Sequence, residues 1–221
     1  MDYFIDTNIA LGYSFKCDKW HNCAFNIVSN NLDKINWSNT VEMEFNKKFK
    51  EIYEFIRMFL DNMNDLIQLE SQMPVNYYSF EKYILNNTQS CKLDIFKKVK
   101  IIEFFWDRYN GNFENNIEMQ FNFLEFSKLN LSQYKSMRNE LQYIVKLYDC
   151  GLDNFKNYPK LVRKLTEEIG IHNPDYKITI DCHDFSIKNR IDVIFLTSDK
   201  RFFNKVRDLE FLKIKKYELC N

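Results

Sequence analysis

Asp181-Cys182-His183-Asp184-Phe185-Ser186-Ile187-Lys188-Asn189-Arg190-Ile191-Asp192-Val193-Ile194-Phe195-Leu196-Thr197-Ser198-Asp199 reads as a short helix, a buried strand and an acid at the strand's end. Val193 to Leu196 is an unbroken β-branched and aromatic run bounded by polar residues, the pattern of a central parallel strand covered on both faces. In open α/β sheets ligands sit beyond the carboxyl ends of the strands. Asp199, placed there, is the first candidate for chemistry.

The chain start repeats the arrangement. Tyr3-Phe4-Ile5 is a brief apolar run that ends in Asp6-Thr7-Asn8. Ile35 to Thr40 reads as a third short strand leading into a helix that carries Glu44. Acids far apart in sequence are thus expected to converge at one end of a sheet.

These stretches resemble the PIN-domain nucleases. The resemblance rests on Phe4-Ile5-Asp6-Thr7-Asn8, on Ser38 followed six residues later by Glu44, on Asp181 followed eighteen residues later by Asp199, and on Leu196-Thr197-Ser198-Asp199-Lys200-Arg201-Phe202. It covers residues 1 to 70 and 155 to 217. It implies an α/β/α sandwich with a central parallel sheet and four acids, Asp6, Glu44, Asp181 and Asp199, holding one or two divalent metals. It also implies RNA as the substrate.

Composition bounds the alternatives. With 221 residues the chain suits one domain with a large insertion, set at 71–150, the part the resemblance does not explain. Formal net charge is zero, so no global positive field advertises nucleic acid and any such contact must use a local patch. Hydrophobic residues make up 45% of the chain, which argues for a folded protein rather than disorder. Few Gly and Pro favour a helix-rich fold. No apolar run approaches the ~20 residues of a membrane helix, and Met1-Asp2 does not open a signal peptide, so a cytoplasmic protein away from membranes is expected. The six cysteines (Cys17, Cys23, Cys91, Cys150, Cys182, Cys220) lack zinc spacing and are expected as reduced thiols.

Helical periodicity marks one or two helices over 9–31 and a long amphipathic helix through Phe45, Phe49, Ile52, Ile56, Phe59, Met63 and Leu66. Pro74 and Asn76 signal a break. Helices are then predicted near 79–87, 92–109 and 116–128, with Asn110-Gly111-Asn112 between the last two, and a fourth from Ser132 to Gly151. Their aromatic stripes read as core. The inserted helices also offer a face for a protein partner or a second copy of the chain. Pro159 and Gly170 frame a further helix. His172 to Asp175 reads as a linker, 181–189 as a helix, and Phe211 to Tyr217 as a last strand. His21 reads as a surface or partly packed side chain.

Four converging carboxylates repel and raise one another's pKa unless a cation compensates. All-oxygen ligation suits Mg²⁺ or Mn²⁺. Asp184, three residues after Asp181 on the same helix face, is expected in support, as are Asn8, Thr197 and Ser198. His183 interrupts the acid pair. Taken singly, Asp6, Asp181 and Asp199 are also explained as helix caps, and Glu44 as an acid favoured near a helix start. Lys200, Arg201 and Lys205 offer contacts to neighbouring phosphates. The expected activity is a metal-dependent endoribonuclease without a protein nucleophile. The alternatives are a PIN-fold binding or scaffold protein with incomplete acids, and a haloacid-dehalogenase-like phosphatase, in which Asn8 stands where a second Asp is needed.

Overall fold

The computed structural model describes residues 1–69, 76–111, 113 and 115–220. Five parallel strands form one sheet: β1 (Asp2–Ile5), β2 (Ile35–Ser38), β3 (Lys146–Tyr148), β4 (Val193–Thr197) and β5 (Lys216–Leu219), in the order β3-β2-β1-β4-β5. The class is α/β, as expected. All residues of β2 and β4 are buried, so both faces of the sheet centre are covered. That matches the unbroken apolar run of β4, whose aliphatic and aromatic side chains are each worth roughly 1.5–3 kcal/mol when removed from water.

The chain divides into two compact units. The first comprises 1–14, 20–48 and 138–221 and contains the whole sheet. Its helices are α1 (Thr7–Ser14), α2 (His21–Ser29), the start of α3 (Asn39–Leu69), the end of α6 (Asn116–Ile144), α7 (Pro159–Arg163), α8 (Asp175–Asn189) and α9 (Lys200–Val206). Strand β1 pairs with β4 in a register that sets Ile5 beside Leu196, so the segments that follow the two strands emerge side by side.

The second unit comprises 15–19 and 49–137, with the rest of α3 and α6 and the helices α4 (Tyr77–Asn87) and α5 (Ile95–Arg108). It takes in 49–70 as well as most of the expected insertion. Asn76 caps α4 through Ser79 N, and Asp94 caps α5 through Lys97 N, each side-chain oxygen satisfying an otherwise orphaned amide. Phe105 is its aromatic centre, with Phe113, Phe123 and Phe126 rings within 5.5 Å, so these stripes are core. Gly111 has φ +61°, and a Cβ there would lie 2.5 Å from the Trp106 indole, so only glycine fits this turn. The expected break at Pro74, and Asn112, lie outside the described residues.

Several expectations are corrected. The helices placed at 116–128 and 132–151 are one, α6, because no Gly or Pro interrupts 117–144 and Ser132 lies mid-helix rather than at a cap. It ends early enough for Lys146-Leu147-Tyr148 to form edge strand β3, whose three residues are too few to show alternation. Helix α8 starts at Asp175, not near Asp181: the chain turns helical directly after Pro174. The last strand lies at 216–219 rather than 211–217. From Pro159 the helix widens into a π-turn at Lys164–Glu168 before Gly170, at φ +72°, ends it. Cys23 and Cys220 form a disulfide rather than two thiols. No short-range spacing announces it, since 197 residues separate the partners.

Candidate functional site

The strand order defines the place. From β1 the chain runs outward through β2 to β3, then returns to the other side of β1 with β4. The carboxyl ends of β1 and β4 flank the point where the strand order reverses, which is where such sheets open a crevice. Asp6 follows β1 and Asp199 follows β4.

Asp6 is only 8% exposed. Thr197 donates its hydroxyl to Asp6 Oδ2 at 2.5 Å, and the Ile9 amide donates to Oδ1 at 2.9 Å. Burial pushes the Asp6 pKa up to about 7, against the pull of these bonds, and the Asp175 carboxylate adds to the rise. Asp199 caps α9, accepting from the amides of Arg201 at 2.8 Å and Phe202 at 2.9 Å. Its own amide donates to Thr197 Oγ1 at 3.0 Å, so one hydroxyl touches both strand-end acids.

Glu44, in the second turn of α3, accepts from Thr7 Oγ1 at 2.5 Å and pairs with Lys48 at 2.7 Å. The fourth acid of this neighbourhood is Asp175, at the first position of α8. Its pKa is pushed up to about 6, chiefly by burial, then by the Glu44 and Asp199 carboxylates, with Lys48 and His172 pulling the other way. Asp6, Glu44, Asp175 and Asp199 therefore form one electrostatic group. In sequence Asp175 falls at the end of a stretch, His172 to Asp175, that reads as a linker. The available signal was Pro174 followed by an acid, a helix-start pattern.

Asp181 and Asp184 are held elsewhere. Asp181, two turns into α8, is buried; Thr40 donates to its Oδ2 at 2.8 Å and Asn154 to its Oδ1 at 3.0 Å. The Cys150 thiol, pushed up to about 12 chiefly by burial, bonds to the same carboxylate. Asp184 is fully buried, accepts the hydroxyls of Tyr148 (2.6 Å) and Tyr158, and pairs with Lys188 at 2.8 Å. Burial alone would raise its pKa, but Lys188 and the two hydroxyls outweigh it and hold the carboxyl below its usual range. Both acids tie α8 to the ends of β2 and β3. His183 accepts from the Lys213 amide through Nδ1 at 2.8 Å and stands edge-on to Tyr158. His21 Nδ1 lies 3.0 Å from the Gly12 carbonyl.

A cavity of about 290 Å³ opens beside the acid group, lined among others by His172, Asp175, Asp199, Arg201 and Lys205. Lys200 is exposed and does not line it. Asn8 contributes its backbone amide to Asp6, and Ser198 is buried next to Thr197. Among the described residues no three His, Cys, Asp or Glu side chains are grouped as a ready ligand shell. The donor set is all oxygen and two of its members are raised toward neutrality, which suits a hard divalent cation that would offset the repulsion. No helix is long and apolar enough to cross a membrane among the described residues. Comparison with protein-family models, with curated proteins and with solved structures returns no match.

Proposed function

We propose that this chain is a divalent-metal-dependent nuclease of the PIN type, an α/β/α sandwich that hydrolyses RNA phosphodiester bonds. The observation that carries the reading is the placing of Asp6 and Asp199 at the ends of β1 and β4, at the reversal point of the sheet, with the Asp175 carboxylate near enough to raise Asp6 and itself raised by burial and then by Glu44 and Asp199. Maintaining several repelling carboxylates in a part-buried crevice costs stability, and function is the usual reason to retain them. Asp6, Asp175 and Asp199 would hold Mg²⁺ or Mn²⁺, with Glu44 beside them. When bound, such a cation lowers the pKa of water and offsets charge at the phosphate.

The chain's own groups do the rest. Thr197 and the Ile9 amide fix Asp6, Thr7 and Lys48 fix Glu44, and the α9 amides fix Asp199. Preset carboxylates need no rearrangement as charge develops. Arg201 and Lys205 supply positive charge on the cavity wall. Asp181 and Asp184 act by positioning α8, on whose first turn Asp175 stands. In the second unit, Ile117, Phe121 and Leu124 are exposed at helical spacing on α6, which supports a protein partner or a second copy as an additional contact.

Incubating purified protein with total RNA, with and without Mn²⁺, alongside Asp6→Asn, tests the reading. Cation-dependent cleavage that the variant lacks is the expected result. Intact RNA under every cation, together with retained RNA binding, would support a binding protein instead.

A further inference from the structure

The cavity beside the acids has two walls. One is the segment from Gly170 to Asp175, the other the segment from Asp199 to Lys205. Three of its lining residues carry or can carry positive charge, but they are not equivalent. Lys205 Nζ donates to the Gly170 carbonyl at 2.6 Å, so this ammonium bridges the two walls as a strut and is spent on the protein. Arg201 and His172 remain, one on each wall, both exposed. Among the described residues neither the guanidinium nor the imidazole has a hydrogen-bond partner within the protein. The other two histidines contrast with this, since His21 and His183 each meet a backbone group.

We infer that His172 and Arg201 form a phosphate clamp, each donating N–H groups from opposite walls to one phosphate of a nucleic-acid strand lying in the cavity. This rests on the nuclease reading for the identity of the strand. In a cavity that Asp175 and Asp199 also line, the Arg201 charge and the His172 donor offset the repulsion that an entering phosphate meets from those carboxylates. Arg presents a planar fork that matches phosphate oxygens, and an imidazole adds a donor from the facing side without a long flexible stem. Lys205 sets the spacing of the walls. The linker histidine, outside the acid motifs, thereby becomes a substrate contact, and one of the three cations expected to bind substrate becomes a structural brace.

The test reads binding. Anisotropy of a fluorescein-labelled short single-stranded RNA is measured with Ca²⁺ present across a salt series, for the parent, His172→Gln, Arg201→Gln, their double variant, and Lys205→Met. Affinity should fall about tenfold for Arg201→Gln and about threefold for His172→Gln, with the salt slope reduced by roughly 0.7 in the arginine variant. Because both groups grip one phosphate, the double variant should lose less than the product of the two single losses. Lys205→Met should lower the melting temperature and leave the salt slope alone. Unchanged affinity in either single variant, losses that multiply, a parent that binds no RNA, or a slope that falls with Lys205→Met and not with Arg201→Gln would each overturn the clamp. Cleavage by the parent is scored separately. Cleavage with insensitive binding removes the clamp and leaves the nuclease reading, whereas sensitive binding without cleavage keeps the clamp and removes the nuclease.

Discussion

Thr197 Oγ1 lies 2.5 Å from Asp6 Oδ2 and donates its proton there, while the same oxygen accepts the Asp199 amide at 3.0 Å. One hydroxyl thus couples the acids at the ends of two adjacent strands, and it does so because β1 and β4 pair with Ile5 beside Leu196. Replacing Thr197 by Val preserves shape and removes both bonds. A buried acceptor left without its donor costs about 1–3 kcal/mol. Thr197→Val should lose about that much stability and so melt lower, raise the Asp6 pKa above about 7, and need more Mn²⁺ for half-maximal cleavage. Asp6 titration followed by carbon NMR of labelled aspartate, beside a melting curve, checks it.

The raised acids make the metal-free protein sensitive to pH in a defined direction. Asp6 titrates near 7 and Asp175 near 6 when folded, against an ordinary value of 3.8 for both. Between about pH 4 and 7 the folded chain therefore binds more protons than the unfolded one, and stability must fall as pH rises through that window. Urea midpoints in EDTA should decline from pH 4.5 to 7.5 and level off above. Asp6→Asn should flatten most of the decline, because its displaced proton is removed from the balance. A midpoint that instead rises across this range in EDTA would contradict the burial and repulsion argued for Asp6.

The disulfide between Cys23 and Cys220 leaves Cys17, Cys91, Cys150 and Cys182 as thiols. It links α2 to the residue after β5, whose amide also donates to the Thr197 carbonyl at 2.8 Å. Protein unfolded in guanidinium without reductant should show four reactive thiols, and six after reduction, the difference being the bridged pair. A cross-link over so long a loop contributes about 2–5 kcal/mol. Cys23→Ser should accordingly melt lower and give five thiols without reductant. Six thiols in the unreduced parent would exclude the bridge.

What could be read from the sequence followed chain-local signals. The apolar run of β4 and the Asp at each strand end are each set within a few residues, and each appears in the fold. Other features depend on partners far away in sequence. Asp181 stands eighteen residues before Asp199, and Thr40 and Asn154, distant in sequence, donate to both its oxygens. Asp175 reads as linker because Tyr176, Ile178 and Ile180 alternate with polar residues, a strand-like spacing that gives no helical period at the start of α8. Edge strand β3 is too short to carry a pattern and exists because β2 supplies a partner with Trp37 beside Leu147.

Asp175 and Asp181 lie on one helix, two turns apart, and the proposed function gives them opposite tasks that substitution separates. Asp175→Asn removes one of the repelling carboxylates beside Glu44 and Asp199. The metal-free protein should be as stable as the parent or more so at pH 7.5, since the group lost is one that burial and like charge disfavour when ionised. Cleavage should fall by about 100-fold or more if it helps hold the cation. Asp181→Asn keeps the shape but sets an amide where an acceptor is needed. One of its two atoms can no longer accept, so either Thr40 or Asn154 loses its bond, and the cost is about 1–3 kcal/mol. Activity per folded molecule should stay within a few-fold of the parent below the lowered melting temperature. Measuring melting temperature and Mn²⁺-dependent cleavage on both variants decides the matter: if Asp181→Asn abolishes cleavage while staying fully folded, and Asp175→Asn cleaves normally, the cation site belongs at Asp181.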